Sequence, residues 1–179
     1  ALDASGNVYV VDYGNNRIQK FDATGVYLGQ FGSYGAGNGQ FNGPYDIAID
    51  HSGNVYVVDV YNYRIQKFDS SGAYVSKWGG YGTGNGQFQL PYSLAIDSGN
   101  NVYVLDYSAA RIQKFNSSGV YQAQWGSAGG GPGQFTSPER ITLDAADRVY
   151  VGDTGNRRVQ VFNSSGQYLY LWGSYGSGD

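Results

Sequence analysis

A single step of 47 residues runs through the whole chain. Asp12, Asp59, Asp106 and Asp153 are separated by it, as are Arg17, Arg64, Arg111 and Arg158, then Phe31, Trp78, Trp125 and Trp172, and Pro44, Pro91 and Pro138. The register never slips across the 179 residues, and more than half of the first copy is identical to the second. A chain repeating at such a period is built from stacked supersecondary units, none of which can bury its own apolar face alone.

Within the second copy, four short runs read as strands: YDIAID from Tyr45, NVYVVD from Asn54, YRIQKFD from Tyr63 and AYVSKWG from Ala73, here called a to d. They are rich in Val, Ile, Tyr, Phe and Trp, and turn residues bound them. A helical stripe is nowhere sustained. DHSGN from Asp50 joins a to b and DSSGA from Asp69 joins c to d. In each, the Asp carboxylate can bond the backbone two residues on, and Gly53 or Gly72 can take a positive φ, so hairpins follow. The link from d to the next a is longer, GGYGTGNGQFQLP from Gly79, and Pro91 sets its exit.

Antiparallel four-stranded units at this period are what a β-propeller stacks as blades. The fold class expected is therefore all-β, a propeller of four 47-residue repeats. Phe31, Trp78, Trp125 and Trp172 on strand d, with Phe41, Phe88 and Phe135 in the links, are expected to pack between blades.

The segment FGSYGAGNGQFNGPYDIAIDHSGNVYVVDVYNYRIQKFD resembles the NHL repeat. The shared features are the FGxxGxGxGQF link, the proline before strand a, the DxxGNVYV hairpin and the D-x-x-N-x-R-I-Q turn after strand b, and they recur along essentially the whole chain. The resemblance implies a propeller, most often six-bladed, of a kind that serves as a binding platform for proteins or RNA, as a sensor ectodomain, or occasionally as an enzyme. Fold alone does not select among these.

The chain is read as one NHL-repeat propeller or propeller fragment over 1–179, with repeats 1–47, 48–94, 95–141 and 142–179. It is nine residues short of four full copies, the equivalent of GQFNGPYDI, so the first blade is expected to lack most of its strand a. With no initiator Met, the chain reads as excised from something longer, or as one that completes its blades by self-association. The regularity also fits a recently amplified or engineered array with no evolved ligand.

Composition narrows the chemistry. With no Cys and one His, His51, thiolate and imidazole metal centres are not expected, and no cofactor is expected. His51 falls in an a–b turn where Ala4, Ser98 and Ala145 take the matching places, which suits a solvated turn residue better than a base. NHL-like lyases of the amidating type use metal-bound histidines, and this chain has too few to carry that role over. The glycine-rich links lack the G-x-x-x-x-G-K-[ST] phosphate loop. No catalytic residue is assigned, and the chain is expected not to be an enzyme.

The Asp12/Arg17, Asp59/Arg64, Asp106/Arg111 and Asp153/Arg158 pairs repeat without change, which fits a structural clamp across each b–c turn better than an asymmetric active site. What drifts between copies is the b–c turn itself. In a propeller these turns emerge on the same face as the d–a links, so the frame is held by packing while that face varies. The candidate binding residues are Tyr13, Asn16, Tyr45, Tyr61, Tyr63, Tyr92, Tyr107, Arg140 and Arg157. Tyrosine joins a rigid apolar ring to a hydroxyl, which suits a protein or glycan partner. Single-stranded RNA stacked on tyrosine is the alternative, opposed by a net charge of −3. No apolar run reaches the ~18 residues of a membrane span. The sequons at Asn116 and Asn163 lean the expected location toward the extracellular space or the cell surface.

Overall fold

The strand pattern decides the architecture, because every apolar run of about five residues is closed by an Asp, Asn or Gly turn before a helix could nucleate. The computed structural model describes residues 1–174 and 176 and separates into two units, Ala1–Pro91 and Tyr92–Asp179.

In the first unit, β1 (Val8–Asp12), β2 (Arg17–Phe21) and β3 (Tyr27–Phe31) form a three-stranded antiparallel sheet, with Leu2 adding an isolated bridge to Val8. The shortened first blade is therefore present as expected. The second sheet is complete and runs β4 (Pro44–Ile49), β5 (Val55–Asp59), β6 (Arg64–Phe68), β7 (Tyr74–Gly79) in spatial order. Its hairpins close as the turn chemistry requires: Asp50 Oδ1 accepts the Ser52 and Asn54 amides, and Gly53 sits at φ 81°. Every residue of β5 is buried, so this strand has no solvent face. The core lies between the two sheets and contains Tyr9, Ile18, Phe41, Val55, Val57 and Phe68, with Phe31 packed on it. Phe31, Phe68 and Phe41 meet at centroid distances of 4.7 and 5.5 Å, the inter-blade packing expected of strand d and link aromatics.

The second unit repeats the scheme. β8 (Pro91–Ile96), whose first residue falls at the division, β9 (Val102–Asp106), β10 (Arg111–Phe115) and β11 (Tyr121–Trp125) form one four-stranded sheet. A short parallel pair, β12 (Ser127–Ala128) with β13 (Gln134–Phe135), ties the link together. β14 (Pro138–Leu143), β15 (Val149–Asp153), β16 (Arg158–Phe162) and β17 (Tyr168–Trp172) form the other sheet. Its core joins Tyr103, Leu105, Ile112, Phe135, Ile141, Val149, Val151 and Phe162, with Trp125 against it.

One expectation needs correction. Trp172 does not lie in a core: it is 48% exposed, and all of β17 is exposed, because among the described residues no further sheet covers that face. The d–a links carry short parallel pairings of their own: Tyr34 bridges Phe41 and Tyr81 bridges Phe88, as β12 does β13.

Candidate functional site

The site grows from the b–c connection. Three of these turns are single 3-10 turns, Tyr13–Asn15, Val60–Asn62 and Thr154–Asn156, each followed by a residue in the left-handed region: Asn16, Tyr63 and Arg157 at φ 54–55°. That conformation costs a non-glycine residue about 1 kcal/mol or more, and the surrounding hydrogen bonds hold it.

Those bonds come from the repeated clamp. Arg64 Nε donates to Asp59 Oδ2 at 2.7 Å, while its Nη atoms reach the carbonyls of Ala36, Gly37 and Gln40 in the preceding link. Asp59 Oδ1 accepts the Asn42 amide, and Asn62 Nδ2 spans Asp59 and the Gly35 carbonyl. Gln66 completes the lattice, donating to Gln40 O and Asp59 while its Oε1 accepts the Gly39 amide. Asp153, Arg158, Asn156 and Gln160 reproduce it on Gly129, Gly130, Gly131 and Gln134. Asp106 and Arg111 stand further apart, at 3.8 Å. Asp12 and Arg17 are bonded at 2.7 Å but partly exposed, and that bond holds the Asp12 carboxyl below its usual range. The Asn and Gln members of the lattice are the N and Q of the D-x-x-N-x-R-I-Q turn; the Gln recurs in all four copies, whereas the Asn gives way to Ala109 in the third.

On this frame the first unit gathers Tyr13, Tyr45 and Tyr61, all largely exposed. The Tyr13 and Tyr61 hydroxyls meet at 3.3 Å, and Tyr13 meets Tyr45 edge to face at 6.3 Å. That hydroxyl contact raises the Tyr13 phenol above its ordinary value. The group closes over Gly43, where a Cβ would stand 2.6 Å from the Tyr61 ring. Asn16 Oδ1 accepts the Gly43 amide, tying the turn to the link. Tyr63 stands apart, half-buried and 5.0 Å from Tyr81. Tyr34 and Tyr81, 71% and 67% exposed, are aromatic link positions that sequence reasoning passed over, although they occupy the same place in successive repeats.

In the second unit, Tyr92 and Tyr107 pair at 5.3 Å and are half-buried, whereas Arg140 and Arg157 are exposed. The expected residues thus form a tyrosine triad in one unit and a tyrosine pair in the other. His51 lies in an exposed turn. The sequon asparagines act as turn formers: Asn116 Oδ1 accepts the Ser118 and Val120 amides, and Asn163 Oδ1 those of Ser165 and Gln167. No helix among the described residues is long and apolar enough to cross a membrane.

Four antiparallel sheets on a constant step, each joined to the next by a Phe-bearing link, define the chain as a protein of the β-propeller class. The NHL repeat pattern matches residues 1–21, 41–68, 88–115 and 135–162, and the chain belongs to that family. No curated protein matches it along its sequence. Among solved structures it is similar to virginiamycin B lyase from Staphylococcus aureus, at 14% identity and a TM-score of 0.70, over 97% of this chain and 54% of that one. A gluconolactonase from Xanthomonas campestris is similar at 17% identity and a TM-score of 0.71, over 99% and 62%. A chain of the nidogen–laminin complex is similar at 14% and 0.68, over 94% and 60%. The chain spans about half the length of the lyase, and these likenesses concern the fold.

Proposed function

We propose that this chain is a non-catalytic binding module that meets an extracellular protein or glycan through its tyrosine-bearing b–c turns. The observation carrying this reading is the Tyr13–Tyr45–Tyr61 group, three exposed rings held on a frame whose buried parts hardly change between repeats. A rigid cluster of half-exposed phenols offers apolar area at low entropic cost, with hydroxyls left to pair with a partner's polar groups. The clamp aspartates are spent on backbone amides, Asn, Gln and Arg, which supports a structural role for them. A net charge of −3 disfavours a polyanion as partner.

The test is a glycan array together with a displayed library of extracellular peptides, probed with the parent and with a Tyr13→Ala, Tyr45→Ala, Tyr61→Ala variant. The reading expects saturable binding by the parent that the triple variant loses by tenfold or more. Full binding by the variant overturns the platform.

A further inference from the structure

Cysteine and methionine, the side chains that oxidants take first, are absent from this chain, which carries 18 tyrosines. One-electron oxidation therefore falls on the tyrosines and on the three tryptophans.

Two of those tyrosines meet head to head. Tyr13, in the b–c turn of the first sheet, and Tyr61, in that of the second, bring their hydroxyls to 3.3 Å while remaining 47% and 50% exposed. A Cβ on Gly43 would stand 2.7 Å from Tyr61 Cε2 and 3.3 Å from Tyr13 Cε2. The ring carbons next to the two hydroxyl-bearing carbons thus flank one point, and they are no further apart than those two distances together. Because Gly43 has no side chain, the space between them is left open.

The backbone holds both turns to this glycine. Asn16 Oδ1 accepts the Gly43 amide, the Val60 amide donates to Gly43 O, and the Tyr61 amide donates to Asn42 O. The pair is also peculiar to its place in the repeat. The matching positions one step on are Val60 and Ser108, and two steps on Tyr107 and Gly155, while Gly43 gives way to Leu90 and Ser137. The other repeats fold without such a pair, so packing of the frame does not require it. Other tyrosine contacts differ in kind: Tyr63 meets Tyr81 edge to face, and Tyr92 and Tyr107 are half-buried. The Tyr150 and Tyr170 hydroxyls also pair, but Tyr150 is half-buried and donates to the Asp144 carboxylate.

We propose that Tyr13 and Tyr61 are an oxidative cross-linking site, joined carbon to carbon as a dityrosine by a haem peroxidase that consumes hydrogen peroxide. Each phenol gives up one electron and its hydroxyl proton, and the two radicals couple through their Cε atoms. The hydrogens on the two bonded carbons then move as protons to the oxygens, which restores both phenols. The two electrons and two protons removed at the start reduce one hydrogen peroxide to two waters. The new bond ties the first sheet to the second whatever the tyrosine face binds.

The experiment oxidises the whole chain, at low micromolar concentration, with a haem peroxidase and hydrogen peroxide, and maps the product by trypsin and mass spectrometry. The expected product is a monomer lighter by two hydrogens, with dityrosine fluorescence, in which the peptide 1–17 is linked to 21–64 through Tyr13 and Tyr61. Its yield should exceed that of any other tyrosine pair at least tenfold. Tyr13→Phe and Tyr61→Phe should each abolish it, and Tyr45→Phe should keep it. Oxidation of the chain unfolded in urea should lose the preference. The linked monomer should also show a raised urea midpoint, since the bond restricts the unfolded chain. Absence of the Tyr13–Tyr61 link in the folded chain, covalent dimers as the main product, a greater yield through Tyr150 and Tyr170, or an equal yield of the link in urea would each overturn the proposal.

Discussion

The Asp59–Arg64 and Asp12–Arg17 pairs have the same residues, the same spacing and the same 2.7 Å bond, but their surroundings differ. In the first pair the side chains are 0% and 9% exposed, and the guanidinium serves three link carbonyls. In the second they are 19% and 31% exposed, and the guanidinium turns to Gln30 Oε1. The repeated motif is thus not a unit of stability in itself. It stabilises where it holds a link against the next sheet, because burial makes each unmatched carbonyl or charge costly.

The comparison can be broken most forcefully at Arg64. Arg64→Ala leaves Asp59 buried without its charge partner and three carbonyls unserved, and should cost about 3–5 kcal/mol in urea unfolding. A smaller effect is expected from Gln66→Ala, which strands the Gly39 amide and removes a donor to the Gln40 carbonyl, at about 1–3 kcal/mol. If Gln66→Ala matched Arg64→Ala, the lattice and not the charge would dominate.

Acid sharpens the picture through the hairpin aspartates. The Asp144 carboxyl is held at about 2, chiefly by the Arg148 backbone amide, and Asp3, Asp22, Asp50, Asp69 and Asp97 are also lowered. For Asp50 and Asp97 burial opposes the shift and the hydrogen bonds led by Asn54 and Asn101 outweigh it. A carboxyl lowered on folding stabilises above its unfolded value of about 3.9 and loses that contribution as pH falls through its folded value. Tm should therefore hold from neutral pH to about 4 and drop steeply toward about 2, as measured by thermal melts across that range. The smallest effect is expected from Tyr61→Phe, which should leave the urea midpoint near that of the parent. It should also return the Tyr13 phenol toward its ordinary value in an ultraviolet titration.

Much of this was legible in the residues. The constant step, the Asp or Asn and the Gly of most hairpins and the proline before strand a give the sheets and the short first blade directly. The Asp–Arg clamp was readable because both members recur. Its Gln66 partner recurs as fully as the pair and Asn62 in three copies of four, both inside the turn motif, but their sequence does not tell which backbone groups of the link they serve. The tyrosine triad follows from drift against a constant frame, yet nothing in the sequence separates Tyr61, which joins Tyr13 and Tyr45, from Tyr63, which turns to Tyr81. The two lie two residues apart in a tight turn. Trp172 misled because position in a repeat predicts burial only where a neighbour is present to cover it.

The most direct test of the account is urea unfolding of Arg17→Ala and Arg64→Ala side by side. The account predicts a midpoint close to that of the parent for Arg17→Ala, as for partly exposed ion pairs generally, and a large loss for Arg64→Ala. Equal losses would contradict it, because the clamp would then act through its own ion pair and not through the link it holds.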